Sequence, residues 1–365
     1  MLRSMAGFAT RLFQKVISLV KKNQASEVEF VYVTNQGGNN ISQYMTSANG
    51  SLSPLDTATV AAGTTPVFIA AHPLANVVYV ANQGSNNISQ YKISEGGNLV
   101  SLSPPVGAGT APVAIAIDPL GRYAYAVNNS SNEISQYLIA ANGTLNPMSP
   151  AAIATGTVPV AIAVDPSGTH IYAVNAGSNN VSQFSISESG SLVSMSPATI
   201  EAGTSPRAIA IHPSGKYAYV VNRTAGNVSQ YAISPGGELT PVLTPVPAGK
   251  HPISISIAAA GAYAYVVNQN SNNISQYTLA ENGQLVPMMP AKVMSLVTPV
   301  FVSAAPSGKC VYVTNISSND VSQYAIGKQG ELTAVLRNAW GDTNIAAGVS
   351  PRCVISVSMK KSQPK

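Results

Sequence analysis

The chain has 365 residues, of which 45% are hydrophobic and only 9% charged, with a formal net charge of +5. Eight of the 19 basic residues lie in the first 22 and last six positions, so the body of the chain is mildly acidic, which argues against nucleic-acid binding. Two cysteines, Cys310 and Cys353, are too few for a disulfide framework, and we expect both to be free and packed.

The first 27 residues differ from the rest of the chain. Apolar residues recur at helical spacing between Phe8 and Val20, with Arg11 and Lys15 among them, which predicts a basic amphipathic helix or tail over residues 1–27. The two charges interrupt any signal-peptide core, and the segment is too short and charged to span a bilayer. Two alternatives stay open: a helix on an anionic membrane surface, or one that is packed on the body or partly disordered. The low charge and abundant Ser, Thr and Asn favour an extracytoplasmic location.

Residues 28–358 are built from one repeated motif. The motif Ile/Val-Ser-Gln-Tyr/Phe recurs every 46 or 47 residues, and its copies begin at positions 41, 88, 134, 181, 228, 274 and 321. A fixed period of this length indicates a supersecondary unit whose copies share a continuous core. The repeat therefore outweighs a length-based expectation of two or three domains.

One repeat predicts four short strands. Residues 206–213 form a nearly continuous apolar run, which is typical of a strand buried on both faces. Pro213-Ser214-Gly215 has the pattern of a type I turn, and the Tyr- and Val-rich second strand, 217–221, ends at Asn222. A third strand spans 228–234, and a looser fourth strand completes the unit. Seven such units predict an all-β, seven-bladed β-propeller with four antiparallel strands per blade.

The two ends of the repeat region predict how the ring closes. The chain enters the repeat at a second strand, 30–34, and the missing first strand appears at 351–357. We therefore expect the C-terminal strand to pair with the N-terminal strands, leaving residues 359–365 as a basic tail.

Every third strand carries a glutamine where an apolar residue is expected. These residues are Gln43, Gln90, Gln136, Gln183, Gln230, Gln276 and Gln323. We predict that each bonds to the backbone of a neighbouring blade and so fixes the blade spacing. A polar ring that binds sugar is the alternative.

The Tyr-Val-Thr-Asn sequences at 32–35 and 312–315, with Pro-x-x-Ile-Ala and Pro-x-Gly elements in the repeats, resemble the YVTN repeat propellers. These overlap with the seven-bladed lactonase-like family, which includes 6-phosphogluconolactonase-type and muconate-cycloisomerase-type enzymes. The resemblance covers about residues 28–358 and implies the propeller fold. Enzymatic members typically read Pro-Arg-His on one first strand, with Asn-Glu closing the second. Here Arg207 is retained, Ala208 replaces the His and Arg223 replaces the Glu; Pro351-Arg352-Cys353 also lacks the His.

Charged residues are expected on one rim of the ring, because the loops before first strands and those between second and third strands lie on the same side. The candidate ligand-binding residues, for an anion, are Arg207, Arg223, Lys250, His251 and Arg352. An enzyme would use His251 as acid or base, Arg207 to stabilise an oxyanion, and Glu133 or Asp320 as orienting carboxylate. Isolated charges on turns more often serve solubility. No metal-binding or cofactor motif appears, and we expect neither.

Two functions are compatible with this pattern. Seven similar Asn-rich loops suit a monomeric, non-catalytic propeller that binds a protein or glycan, and we predict this function first because a catalytic site needs one blade to differ. The alternative is a lactone hydrolase that uses the cationic rim of the fifth and sixth blades.

Overall fold

The computed structural model describes residues 27–258, 260–335 and 343–360. These residues form seven antiparallel sheets and no helix, which confirms the predicted seven-bladed β-propeller. The predicted amphipathic helix lies outside the described residues apart from Glu27. Within the described part of the chain, no helix has the length and hydropathy to cross a membrane.

Each blade has four strands, and blades are numbered 1 to 7 by the order of their second strands in the chain. The first strands of blades 1 to 7 are Pro351–Lys360, Pro66–Ala71, Pro112–Ile117, Pro159–Val164, Pro206–Ile211, Pro252–Ile257 and Pro299–Ala304. The second strands are Glu27–Asn35, Val77–Asn82, Tyr123–Asn128, His170–Asn175, Tyr217–Asn222, Tyr263–Asn268 and Cys310–Asn315. The third strands are Asn40–Thr46, Asn87–Ile93, Glu133–Ile139, Asn180–Ile186, Asn227–Ile233, Asn273–Leu279 and Asp320–Ile326. The fourth strands are Leu52–Ala61, Leu99–Gly107, Leu145–Ala154, Leu192–Glu201, Leu239–Pro247, Leu285–Met294 and, in two pieces, Leu332–Ala334 with Asn344–Ala346.

Blade 1 closes the ring as predicted. Its first strand comes from the C-terminal part of the chain and pairs antiparallel with Glu27–Asn35, so that Val31 lies opposite Ser356 and Val33 opposite Val354. The closing strand continues to Lys360, beyond the predicted end at Val357 and into the segment predicted as a basic tail. Each sheet thus meets a neighbour on both faces, which buries the Val- and Tyr-rich second strands almost completely.

The third-strand glutamines join the blades, which confirms their predicted structural role. Each Oε1 accepts a hydrogen bond from the backbone amide of the first residue in the fourth strand of the next blade, at 2.6–2.8 Å. The acceptor and donor pairs are Gln43–Leu99, Gln90–Leu145, Gln136–Leu192, Gln183–Leu239, Gln230–Leu285, Gln276–Leu332 and Gln323–Leu52. A satisfied polar contact at every interface fixes the blade spacing without exposing the amide to water.

Tyrosines add two more bonds at the blade interfaces. The second-strand tyrosine hydroxyl donates to a glycine carbonyl in the turn of the next blade, as Tyr172 does to Gly237 at 2.7 Å. The third-strand tyrosine hydroxyl donates to a carbonyl near the end of the preceding blade's fourth strand, as Tyr231 does to Glu201 at 2.8 Å. Only blade 4 has phenylalanine, Phe184, at the latter position. The two free cysteines are buried, as predicted.

Candidate functional site

The start of every first strand borders a central cavity of about 360 Å³ at the axis of the ring. The residue directly after the proline lines it in each blade: Arg352, Val67, Val113, Val160, Arg207, Ile253 and Val300 in blades 1 to 7. The next residue also lines it in blades 2 to 7: Phe68, Ala114, Ala161, Ala208, Ser254 and Phe301. In a regular strand successive side chains point to opposite faces, so only one of two consecutive side chains would face the cavity. In blades 2 to 7 the register shifts between the proline and the second residue after it, and such an irregularity re-aims side chains.

Arg207 is the positively charged residue that blade 5 contributes to the cavity. Its side chain is partly buried in the wall of the cavity, and its Nε is buried without a hydrogen-bond partner in the described structure. Burial lowers the pKa of Arg207, and the nearby positive charge of Arg223 lowers it further. An unpaired buried N–H is unfavourable, so the conformation of Arg207 carries an energetic cost.

Arg352 lines the same cavity from blade 1. Burial lowers the pKa of its guanidinium, and its Nε donates a hydrogen bond to Oε1 of Gln36. Its backbone carbonyl accepts a hydrogen bond from Thr314 Oγ1 at 2.8 Å. Arg352 is therefore bonded within its own blade through Gln36 and to blade 7 through Thr314, whereas Arg207 retains an unpaired donor.

Two phenylalanines form an apolar wall that sequence reasoning missed. Phe68 of blade 2 and Phe301 of blade 7 meet edge to face, with ring centroids 5.9 Å apart and planes at 79°. Blade 1 lies between them in the ring and has the fully buried Cys353 at the equivalent position. The sequence does carry a signal for this wall. Phe68 and Phe301 occupy the second position after the first-strand proline, where blades 3 to 6 have Ala or Ser.

Neither of the predicted carboxylates lines the cavity. Glu133 accepts a hydrogen bond from Ser131 Oγ at 2.9 Å on a turn. Asp320 is buried, and its two oxygens accept from the side-chain amides of Asn315 and Asn344 at 2.8 and 2.7 Å. The two bonds join Asp320 to the end of the second strand and to the fourth strand of blade 7.

Lys250 and His251 lie at the junction of blades 5 and 6, and neither lines the cavity. His251 has a left-handed backbone (φ 51°), and its Nδ1 is buried without a hydrogen-bond partner. At the other blade junctions an asparagine Oδ1 accepts from the amide of the equivalent residue, as Asn272 does from Thr298 at 2.9 Å. Gly226 replaces that asparagine here, so this junction lacks the bond.

Of the predicted site residues, the structure therefore places Arg207 and Arg352 together at one cavity, with Arg223 near Arg207. The remaining polar lining residues are Gln83, Asn129 and Ser254. Within residues 27–258, 260–335 and 343–360, no cluster of His, Cys, Asp or Glu is arranged to hold a metal ion.

Comparison with known proteins places this architecture among lactonases. The family described as "Lactonase, 7-bladed beta-propeller" matches residues 29–196 and 188–303. The structure is similar to that of the periplasmic gluconolactonase of Pseudomonas aeruginosa, with 20% identity, a TM-score of 0.77, and coverage of 91% of this chain and 99% of that chain. It is also similar to a protein from Bacteroides uniformis ATCC 8492 provisionally described as a 6-phosphogluconolactonase (22% identity, TM-score 0.79, 91% and 99% coverage). A comparable protein from Bacteroides fragilis NCTC 9343 has 20% identity, a TM-score of 0.79, and coverage of 92% and 99%. No curated protein sequence matches significantly.

These comparisons correct the function predicted first. The prediction of a non-catalytic interaction propeller is wrong, because the family match favours the alternative, a lactone hydrolase. The physical argument for the interaction function was that the blades are nearly identical. In the structure blade 5 does differ, since it contributes Arg207 and Arg223 and has Gly226 in place of the junction asparagine.

Proposed function

Because the chain belongs to the lactonase family of seven-bladed β-propellers, we propose that it hydrolyses a lactone bound in the central cavity. One observation carries the proposal beyond family membership. The cavity holds a partly buried arginine, Arg207, whose Nε has no partner in the described structure. A cationic N–H in a poorly hydrated site can stabilise the negative charge that develops on a carbonyl oxygen.

The reaction requires a water molecule to attack the lactone carbonyl carbon. The carbonyl oxygen becomes an oxyanion and accepts hydrogen bonds from Arg207. Collapse of this tetrahedral intermediate breaks the bond between the carbonyl carbon and the ring oxygen, and the ring oxygen leaves as a hydroxyl after taking a proton that originates from the attacking water. The product is an open hydroxy acid, which ionises and releases one proton. Arg352 supplies a second positive charge in the same cavity, which favours this anionic product.

The described lining contains neither a carboxylate nor an imidazole. Its side chains therefore supply electrostatic stabilisation, and no lining group has the ordinary pKa of a base that acts near neutrality. We expect the catalysed rate to rise with hydroxide concentration, without the inflection near pH 6.5 that a catalytic histidine would produce.

The test is a pH-stat assay of the purified full chain with a panel of γ- and δ-lactones that includes sugar lactones and alkyl-substituted ones. Arg207→Gln removes the positive charge and Nε, and we expect kcat to fall about 10²- to 10³-fold, as for the loss of one oxyanion donor. Lys216→Gln is the matched control, because it removes an exposed cation from the opposite end of the same blade. If acid release by the wild-type protein equals the buffer rate for every lactone, the proposal is overturned.

A further inference from the structure

The central cavity has two chemically different sides. Arg207 belongs to blade 5, which stands three blades away from blade 2 and from blade 1 in the ring. The edge-to-face pair of Phe68 and Phe301 flanks blade 1, and both rings remain partly exposed to the cavity. Arg352 of blade 1 lines the cavity on this same side, where its Nε is already bonded to Gln36. A carbonyl oxygen placed at Arg207 therefore directs the rest of a small ligand toward an aromatic wall.

The cavity offers few polar side chains for a ligand rich in hydroxyl groups. Among the described lining residues, Asn129 Nδ2 already donates to the carbonyl of Pro159 at 3.0 Å, and Ser254 Oγ accepts from the amide of Val302 at 3.3 Å. Gln83, the two guanidinium groups, the Ser254 hydroxyl hydrogen and the Asn129 carbonyl oxygen are the polar groups left for a ligand. The other lining side chains are alanine, valine, isoleucine and phenylalanine. An alkyl or aryl group needs none of these partners and fits the predominantly apolar lining, whereas any sugar hydroxyl that stayed unpaired would lower affinity.

The size of the cavity limits the ligand further. Its volume of about 360 Å³ is near the lower end of the range of small-molecule sites, roughly 300–1,000 Å³. This volume suits one lactone ring with a short substituent. It does not suit a ligand that carries a second large polar group.

We infer that the preferred substrate is a lactone with an alkyl or aryl substituent, its carbonyl at Arg207 and its substituent against Phe68 and Phe301. This inference rests on the proposed lactone hydrolysis. The inferred substrate differs from the sugar lactones named in the descriptions of the structural relatives. The aromatic wall and the small residues at the equivalent position of blades 3 to 6 together set the specificity.

The experiment measures kcat/KM for a series of δ-valerolactones that differ only in a 5-alkyl chain, alongside glucono-δ-lactone. Each added methylene that is buried raises kcat/KM roughly fourfold until the cavity is full. Phe68→Ala and Phe301→Ala abolish most of this dependence on chain length. Phe68→Leu keeps a large apolar group and retains most of the dependence. Leu120→Ala, which truncates an exposed side chain on a turn of blade 3, is the matched control.

A binding series keeps the inference testable without turnover. Calorimetry with the corresponding 5-alkyl δ-lactams, which resist hydrolysis, is expected to show the same gain in affinity with chain length. Hydrolysis of glucono-δ-lactone with no gain along the alkyl series overturns this inference but leaves lactone hydrolysis standing. No hydrolysis of any lactone overturns the proposed function, and flat lactam affinities then remove the inference as well.

Discussion

The side-chain oxygen of Gln183 lies 2.7 Å from the backbone nitrogen of Leu239, in the adjacent blade and 56 residues further along the chain. The same glutamine donates through Nε2 to the carbonyl of Pro197 in its own blade, at 3.1 Å. One buried side chain thus satisfies backbone groups of two blades. The repetition of the first bond at all seven interfaces explains why glutamine occupies this position in every repeat.

Gln183→Met should destabilise the protein by about 1–3 kcal/mol, because a side chain of similar length leaves the buried Leu239 amide unpaired. Urea denaturation followed by circular dichroism measures the change in the free energy of unfolding. Gln284→Met alters an exposed glutamine and should change it by less than about 0.5 kcal/mol. Equal effects of the two substitutions would show that the Gln183 bridge contributes nothing.

Phe184→Tyr should stabilise the protein by about 0.5–1.5 kcal/mol. In blades 2, 3, 5, 6 and 7 the tyrosine hydroxyl at this position reaches a carbonyl 30 residues earlier, for example Tyr277 to Pro247 at 2.8 Å. The corresponding carbonyl for position 184 belongs to Ala154. Tyr277→Phe, the reverse change, should lower the free energy of unfolding by a similar amount. A destabilised Phe184→Tyr variant would mean that the interface of blades 3 and 4 has no room for the hydroxyl.

Gly226→Asn should restore the bond that only the junction of blades 5 and 6 lacks. A Cβ at this position has the Gly249 carbonyl oxygen as its nearest neighbour at 3.6 Å, an ordinary contact, and asparagine tolerates the left-handed φ of 70°. The new Oδ1 would accept from the His251 amide and add about 0.5–1.5 kcal/mol to the free energy of unfolding. Gly226→Ala is the control, because alanine introduces a Cβ at the same left-handed φ but has no side-chain acceptor. It should lower the free energy of unfolding. Indistinguishable Asn and Ala variants would contradict the predicted bond.

Asp165 should make stability depend on pH in the acid range. Burial opposes ionisation of its carboxyl, but hydrogen bonds from Ser167, His170 and Thr169 outweigh burial and lower its pKa in the folded protein. The unfolded chain therefore binds the proton first, so the stabilisation is complete above about pH 4 and is lost as the pH falls through the folded-state pKa. The stability deficit of Asp165→Asn should consequently be largest above about pH 4 and shrink below it.

Urea denaturation of wild-type protein and Asp165→Asn between pH 2.5 and about pH 6 measures this difference. Asp56→Asn, at an exposed position of a fourth strand, is the matched control. A deficit for Asp165→Asn that is constant across the range would show that ionisation of Asp165 does not contribute.

The sequence predicts the fold well because the strand pattern and its spacing repeat seven times. It also predicts the partnership of the two chain ends, since blade 1 otherwise lacks a first strand. The cavity wall is harder to predict. Phe68 and Phe301 are 233 positions apart, and they meet only because the closed ring makes blades 2 and 7 neighbours of blade 1.

Two further features of the site depend on three-dimensional detail. The register shift in each first strand turns consecutive residues toward the axis, which a pattern of alternating side chains does not reveal. Asp320 looks like a catalytic carboxylate on a rim because it replaces an asparagine of the repeat. In the structure, amide groups of Asn315 and Asn344 bind both of its oxygens, and only their positions in space show this.

The closing pair of strands also determines how the molecule responds to tension. Glu27 lies opposite Lys360, so the two ends of the described chain leave blade 1 from the same end of an antiparallel ladder. Pulling on both ends would load the hydrogen bonds one rung at a time, as in a zipper, and would not shear them together. The seam that makes the ring continuous is therefore the place where a mechanical force would open it most easily.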